Sequence, residues 1–330
     1  MIDVSILESE EYEFLRTNPS LRDNIILLGL GGSHAYGTNI ETSDVDIRGV
    51  AVNSKENILL GNDFEQVVNV KTDTTIYSLD KMIPLLANGN PNTIEILGLE
   101  KADYLYISDI GQKLLDNKEM FLSKRCVGAF GGYANQQLYR LQQKSLCALS
   151  KEEYNTHTAK VLSSMIERFS DKFGISCENI RAYIDAAGEL VLDLHLDGIP
   201  AENVSAMLSE LNQTIQDYNT TSKRNMKAET HGKIAKHSMH LLRLYMMCID
   251  ILERHEIITK RIKEHDLLMD IRNGKYLDAT GKPTSEFFDM VRDYEERFKE
   301  AAKKSDLPDN PNMERINQFR MEVNEEIVRR

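Results

Sequence analysis

IILLGLGGSHAYGTNIETSDVDIRGVAV, residues 25–52, carries more chemistry than any other stretch of this chain. It opens on an apolar run, Ile25 to Leu30, interrupted only by Gly29. A glycine-rich turn follows at Gly31-Gly32-Ser33, then a short bridge, then Asp44-Val45-Asp46 leading into a second apolar run. The pattern predicts a strand, a phosphate-gripping turn, a half-turn of helix and an acidic strand. Side chains two apart on a strand share a face, so Asp44 and Asp46 project together while Val45 and Ile47 point inward. Two parallel carboxylates on a rigid element suit a pair of magnesium ions and in-line displacement at phosphorus. The glycines let backbone N–H groups approach phosphate oxygens, and Ser33 adds a hydroxyl.

Other phosphate motifs fit less well. A dinucleotide fingerprint would need a third glycine at the position of His34, and a long helix after it. The Gly-Lys-Ser/Thr of a P-loop is absent. A solvated turn with an N-capping Asp would explain the Asp pair alone, but not the glycine-serine turn at this spacing between two apolar runs. The combination Gly32-Ser33 … Ser43-Asp44-Val45-Asp46 resembles the DNA polymerase β superfamily of nucleotidyltransferases. The resemblance implies Mg²⁺-dependent transfer from a nucleoside triphosphate, with two ions and Mn²⁺ as a substitute.

The chain has 330 residues, enough for two domains. With 40 basic and 52 acidic side chains, its net charge of −12 argues against a protein coated by duplex DNA, though not against a local basic cleft. Cys126, Cys147, Cys177 and Cys248 are dispersed and form no Cys-x-x-Cys, which excludes a zinc knuckle. Dispersed cysteines, an acidic N-terminus without a leader and no apolar run of about 20 residues predict a cytoplasmic protein with no membrane span.

Gln66–Tyr77 alternates and is rich in Val and Thr, which predicts one strand. Asp73 falls on its polar face with Asn69, Lys71 and Thr75. The superfamily carries a third carboxylate on such a strand, and Asp73 matches it, completing the metal site and helping to deprotonate an attacking hydroxyl. Arg48 shares the face of Asp46 and steadies the carboxylates, binds phosphate or makes a structural ion pair. Ser78 caps a helix through Ala87, Pro91 starts another, Tyr104–Ile107 is a strand, and Asp109 caps a helix to about Asn117. This closes a nucleotidyltransferase domain over residues 1–118.

From residue 119 the pattern is mainly helical, with a β-hairpin formed by Asn179–Asp185 and Glu189–Leu196. Lys151–Phe173 and Ala201–Tyr218 read as amphipathic helices, the second with Val204, Leu208, Leu211 and Ile215 inward. Lys223, Arg224, Lys227, Lys233, Lys236 and Arg243 crowd one region of an otherwise acidic chain. On a helix from Gly232 to Glu253, Lys236, His240 and Arg243 share a face with His237 beside them, a cationic ridge for phosphate. The His237-x-x-His240 pair also has metal-ligand spacing, but no Glu lies near; a solvated basic face and a proton-transfer role are the other readings.

Further pieces narrow the resemblance. Gly32–Thr38, Tyr77–Lys81, Gly89–Asn92, Arg224–Ala228, Lys236–Leu241 and Ile271–Tyr276 are similar to the predicted nucleotidyltransferases associated with RNA repair. The fold implied is α+β: a polymerase-β-like domain with a mixed sheet flanked by helices, followed by a mainly helical domain over 119–330 that contributes basic residues. The implied site is Asp44, Asp46 and Asp73 for metal and catalysis, with Gly32, Ser33, Arg48, Lys236, His237, His240 and Arg243 for the nucleotide. The implied acceptor is RNA, such as tRNA or a damaged RNA end, in a pathway with an RNA ligase or kinase. A protein or small-molecule acceptor, or a regulatory module that binds nucleotide without turnover, are the competing expectations.

Overall fold

Ile25–Leu30 (β1) lies between two antiparallel neighbours, Ile47–Ala51 (β2) and Tyr104–Ile107 (β5). Gln66–Asn69 (β3) and Thr74–Ser78 (β4) complete a five-stranded sheet in the order β3-β4-β2-β1-β5. Only β2 and β4 run parallel, so the sheet is mixed and the fold is α+β. The computed structural model describes residues 4–146, 180–212, 231–279 and 281–330, with Asn155, Ala159, Leu162, Ser163, Ile166 and Phe169 in addition.

The alternation read from the sequence sets the core. Leu28, Leu30, Ile47, Ala51, Ile76 and Leu105 pack on one face with Tyr12, Leu15 and Leu21 from the N-terminal lead. Val45 packs against the same cluster, which leaves Asp44, Asp46 and Arg48 at the alternate positions. Asp44 and Asp46 themselves lie on the extended approach to β2 rather than within it.

The stretch 66–77 is not one strand. Asn69 accepts backbone N–H bonds from Lys71 at 3.0 Å and Thr72 at 3.4 Å, so its side chain turns the chain where a strand was expected. Asp73 sits in the resulting hairpin turn with φ of 41°. A short polar run with one Asn hides such a turn, because Val and Thr continue the β pattern on both sides of it.

Capping follows the sequence closely. Ser78 accepts from the Lys81 N–H at 3.0 Å and starts the helix Leu79–Ala87, which buries Leu79, Met82, Ile83 and Leu86. Ser108, rather than Asp109, caps Asp109–Asp116, accepting from the Gly111 N–H at 3.1 Å.

Two compact units emerge, and they do not follow a cut near residue 118. The first joins Met1–Gln136 with Ser238–Tyr276 and Ser285–Arg330; the second joins Gln137–His237 with Leu277–Thr284. The helix His231–Arg254 explains the return of the C-terminal chain to the first unit. Every residue from Leu241 to Leu252 is buried, so this part is enclosed on all sides rather than amphipathic. The sequence LLRLYMMCIDIL is apolar all round apart from Arg243 and Asp250. Asp250 is neutralised by Arg261, whose guanidinium is also buried.

In the second unit, Ile180–Ile184 (β6) and Leu190–Leu194 (β7) form the expected hairpin, closed by Asp185, whose carboxylate accepts from the N–H groups of Ala187 and Glu189 at 2.9 Å. Its core joins Leu162, Ile166, Phe169 and Ile180 with Met207 and Leu211. Residues 201–212 are helical, with Leu211 buried and Val204 half-buried as expected, but Met207 rather than Leu208 turns inward and Leu208 is exposed. Most of the expected helix over Lys151–Phe173, together with Ile215, Lys223, Arg224 and Lys227, lies outside the described residues. Among the described residues no helix is long and apolar enough to cross a membrane.

Candidate active site

The glycine turn and the Asp-x-Asp segment are tied together by backbone. The Gly31 N–H donates to the Asp46 carbonyl at 2.8 Å, one step beyond the last pairing of β1 with β2, Leu30 with Ile47. The chain then enters the five-residue helix Gly32–Tyr36. Gly32 has φ of +54°, and a Cβ there would stand 1.7 Å from Asp46 Oδ2. The Asp46 carboxylate therefore occupies the space that any other side chain at position 32 would take. Ser33 is buried, and its carbonyl accepts the Thr38 N–H at 2.9 Å to close the turn.

Asp44 is exposed, and its preceding loop is pinned. Ser43 Oγ accepts the Ile40 N–H at 2.9 Å and Arg272 Nη2 at 3.0 Å. Arg272 comes from the end of the helix His265–Arg272, more than two hundred residues away in the chain.

Arg48 takes the ion-pair option among its expected roles. Its Nη2 lies 3.2 Å from Asp73 Oδ1, and its Nη1 donates to the Asp73 carbonyl. The Asp73 side chain is 62% exposed, so the pair adds little stability. Its effect is positional. The Ile47 N–H donates to the Asp73 carbonyl at 3.3 Å, which sets Asp73 beside the acidic segment at the β2–β4 edge, with its carboxylate on Arg48. Among the described residues no three His, Cys, Asp or Glu side chains are grouped to hold a metal. Asp44, Asp46 and Asp73 thus share one end of the sheet without forming a closed triad, because Arg48 engages the third.

Arg243 is not part of a solvated ridge. It is 6% exposed, and its guanidinium carbon lies 3.3 Å from the centroid of the Tyr36 ring. Its Nη2 lies 3.0 Å from His240 Nδ1, and His240 meets the edge of Tyr133 at 5.7 Å. Tyr36 in turn donates to Glu95 Oε2 at 2.7 Å. Burial, then the neighbouring Glu95, holds the Tyr36 hydroxyl far above its usual range, so it stays protonated as the donor. Burial also raises Glu95, against the opposing pull of Arg243, the Tyr36 hydroxyl and Arg48. The strap after the long helix holds this group in place: Thr259 donates to the Glu95 carbonyl at 2.8 Å, and the Arg261 N–H to the Tyr36 carbonyl at 3.3 Å. Lys236 is exposed and His237 half-buried, and both belong to the second unit.

Residues 7–159 match the RNA repair pathway DNA polymerase beta family. That stretch, a little under half of the chain, contains the glycine turn, the Asp-x-Asp segment, Asp73 and Glu95, so the sheet end described above lies within the part that is similar to this family. An uncharacterised 38.9 kDa protein of the nrdC-mobD intergenic region in Enterobacteria phage T4 is 28% identical over 136 residues, covering 36% of this chain. The match spans 39% of the phage protein's length. No solved structure gives a significant match.

Three residues at the site escaped the sequence reading. Tyr36 and Arg272 both lie inside segments that carry the family resemblance, but neither has a spacing that announces a role. Glu95 is the one carboxylate in the apolar run of PNTIEILGL, residues 91–99, which was a usable signal: an acid placed there is either exposed by chance or held for a purpose.

Proposed function

We propose that this chain is a nucleotidyltransferase that moves a nucleoside monophosphate from a nucleoside triphosphate to RNA. The observation that carries the reading is the Asp46 carboxylate seated against Gly32, with Asp44 exposed beside it. The match of residues 7–159 to an RNA repair family supports the acceptor class. The donor set fits magnesium: two hard carboxylate oxygens from one extended segment, the remaining positions being left to phosphate and water. Asp44 and Asp46 would hold the ions, and Asp73 is the third candidate ligand. Bound there, Mg²⁺ supplies charge neutralisation for the phosphates and acidifies an attacking hydroxyl.

The chain's own groups do the rest. The turn at Gly32-Ser33 brings backbone close to the phosphates. Arg48, beside Asp73, is placed to exchange its carboxylate for a phosphate oxygen. Arg243, held flat by Tyr36 and His240, offers a fixed guanidinium. His240, in the same unit as the glycine turn, is a candidate for the nucleotide's outer phosphates, and Asp73 for receiving the acceptor's proton.

The test is label transfer. Each α-³²P-labelled nucleoside triphosphate is incubated with Mg²⁺, the protein and a mixture of RNA ends. Label covalently attached to RNA, and dependent on Mg²⁺, is the expected result. Label on the protein itself or on a small molecule would move the acceptor to another class. Tight nucleotide binding without pyrophosphate release under every acceptor would replace the enzyme by a binding module.

A further inference from the structure

Arginines buried inside a folded chain are normally neutralised by a carboxylate, and this protein shows the normal case at Arg261. Its guanidinium is paired with Asp250, both buried, and donates also to the Ile258 carbonyl at 2.7 Å. Arg243, buried, and Arg272, half-buried, depart from it. Among the described residues neither has a carboxylate at ion-pair distance. Arg243 leaves its Nε, and Arg272 its Nη1, buried with no hydrogen-bond partner. An orphaned donor on a charged group is costly, but Arg261 carries one too at its Nε; what sets Arg243 and Arg272 apart is the lack of a carboxylate beside the guanidinium. The two are close enough to repel: after burial, the charge of Arg243 is the next cause that lowers the Arg272 pKa.

Their supports are rigid. Arg243 is clamped between the Tyr36 ring and His240, while Arg272 is fixed by its bond to Ser43, the residue before Asp44. Glu95, whose charge is felt by Arg243, already accepts the Tyr36 hydroxyl. Arg243 therefore stands on Tyr36, at the end of the glycine turn's helix, and Arg272 on Ser43, before the acidic segment, each with one enclosed donor unused. The planar guanidinium fork matches phosphate oxygens in geometry and charge.

We propose that Arg243 and Arg272 form a preorganised phosphate clamp beside Ser43, built to take a terminal phosphate or polyphosphate. Its place in catalysis rests on the nucleotidyltransferase reading; its existence as an anion site does not. The phosphate belongs either to the donor triphosphate or to a 5′-phosphorylated RNA end.

The experiment is calorimetric titration of the full chain with sodium tripolyphosphate in EDTA, so that no metal or turnover is involved. The unaltered protein is expected to bind, Arg272→Gln to bind roughly tenfold or more weakly, and Arg272→Lys to fall between. A cooperatively melting Arg272→Gln with unchanged affinity overturns the clamp. So does an unaltered chain that neither binds tripolyphosphate nor melts higher with it than with chloride of equal ionic strength, a readout that holds even if the variant fails to fold. Titrations with ATP and with 5′-phosphorylated and 5′-hydroxyl RNA oligonucleotides identify the source. Loss of ATP binding in Arg272→Gln assigns the donor, loss confined to the 5′-phosphorylated RNA assigns the acceptor, and loss of neither overturns the proposal. Tripolyphosphate binding that depends on Arg272 in a protein that transfers no label would leave the clamp standing and remove the transferase.

Discussion

Asp46→Asn is expected to lower nucleotidyl transfer on the order of 10⁴-fold, the scale seen when a group at the reacting centre is lost. The substitution keeps size and shape and removes the charge on which ion binding depends. The carboxylate of Asp46 fills the space above Gly32, and the amide would fill it equally. The substitution therefore introduces no clash there. Parallel measurement of label transfer and thermal unfolding separates lost chemistry from lost fold. Asp44→Asn should follow the same direction, since both side chains come from the same extended segment.

Gly32→Ala is expected to damage both fold and activity. Any L-residue at φ of +54° costs about 1–2 kcal/mol, and the added Cβ meets Asp46 Oδ2 at 1.7 Å. The carboxylate must swing away, and a displacement of about 1 Å at a reacting centre costs roughly 10²-fold in rate. Gly61→Ala is the control. It has φ of +69° and nothing within 4 Å of its added Cβ, so it carries the backbone strain without the clash. Both variants should melt a few degrees lower, and only Gly32→Ala should lose transfer. Equal activity in the two would mean that the space above Gly32 has no catalytic meaning.

The sheet end was legible in the sequence because its signals are local. The glycine turn, the alternation around Asp44-Val45-Asp46, the Ser78 cap and the hairpin near Gly188 all follow from residues within a few positions of each other. What escaped depends on distant partners. Asp73 was assigned to a strand because nothing in VKTDT shows that Asn69 bonds two N–H groups ahead of it. Arg243 was placed on a polar ridge by helical spacing alone. The apolar surroundings of Arg243 in LLRLYMM were the better guide, since a cation flanked on every side by Leu, Tyr and Met is buried with a partner of another kind. That partner is Tyr36, some two hundred residues earlier, and periodicity cannot reveal such a pairing. Arg272 and Glu95 are hidden for the same reason: each gains its meaning from a residue in another part of the chain, Ser43 for one and Tyr36 for the other.

The central claim is that the acidic segment before β2 holds divalent ions beside a nucleotide. The most direct measurement is a crystal of the full chain grown with Mn²⁺ and an α,β-methylene nucleotide analogue, with ions located by anomalous scattering. The account predicts manganese in the first shell of Asp44 and Asp46, about 2.1 Å from their oxygens as for a magnesium-like ion, and the phosphates against Gly32 and Ser33. Nucleotide and manganese bound elsewhere, with the Asp46 carboxylate unmoved over Gly32, would contradict it.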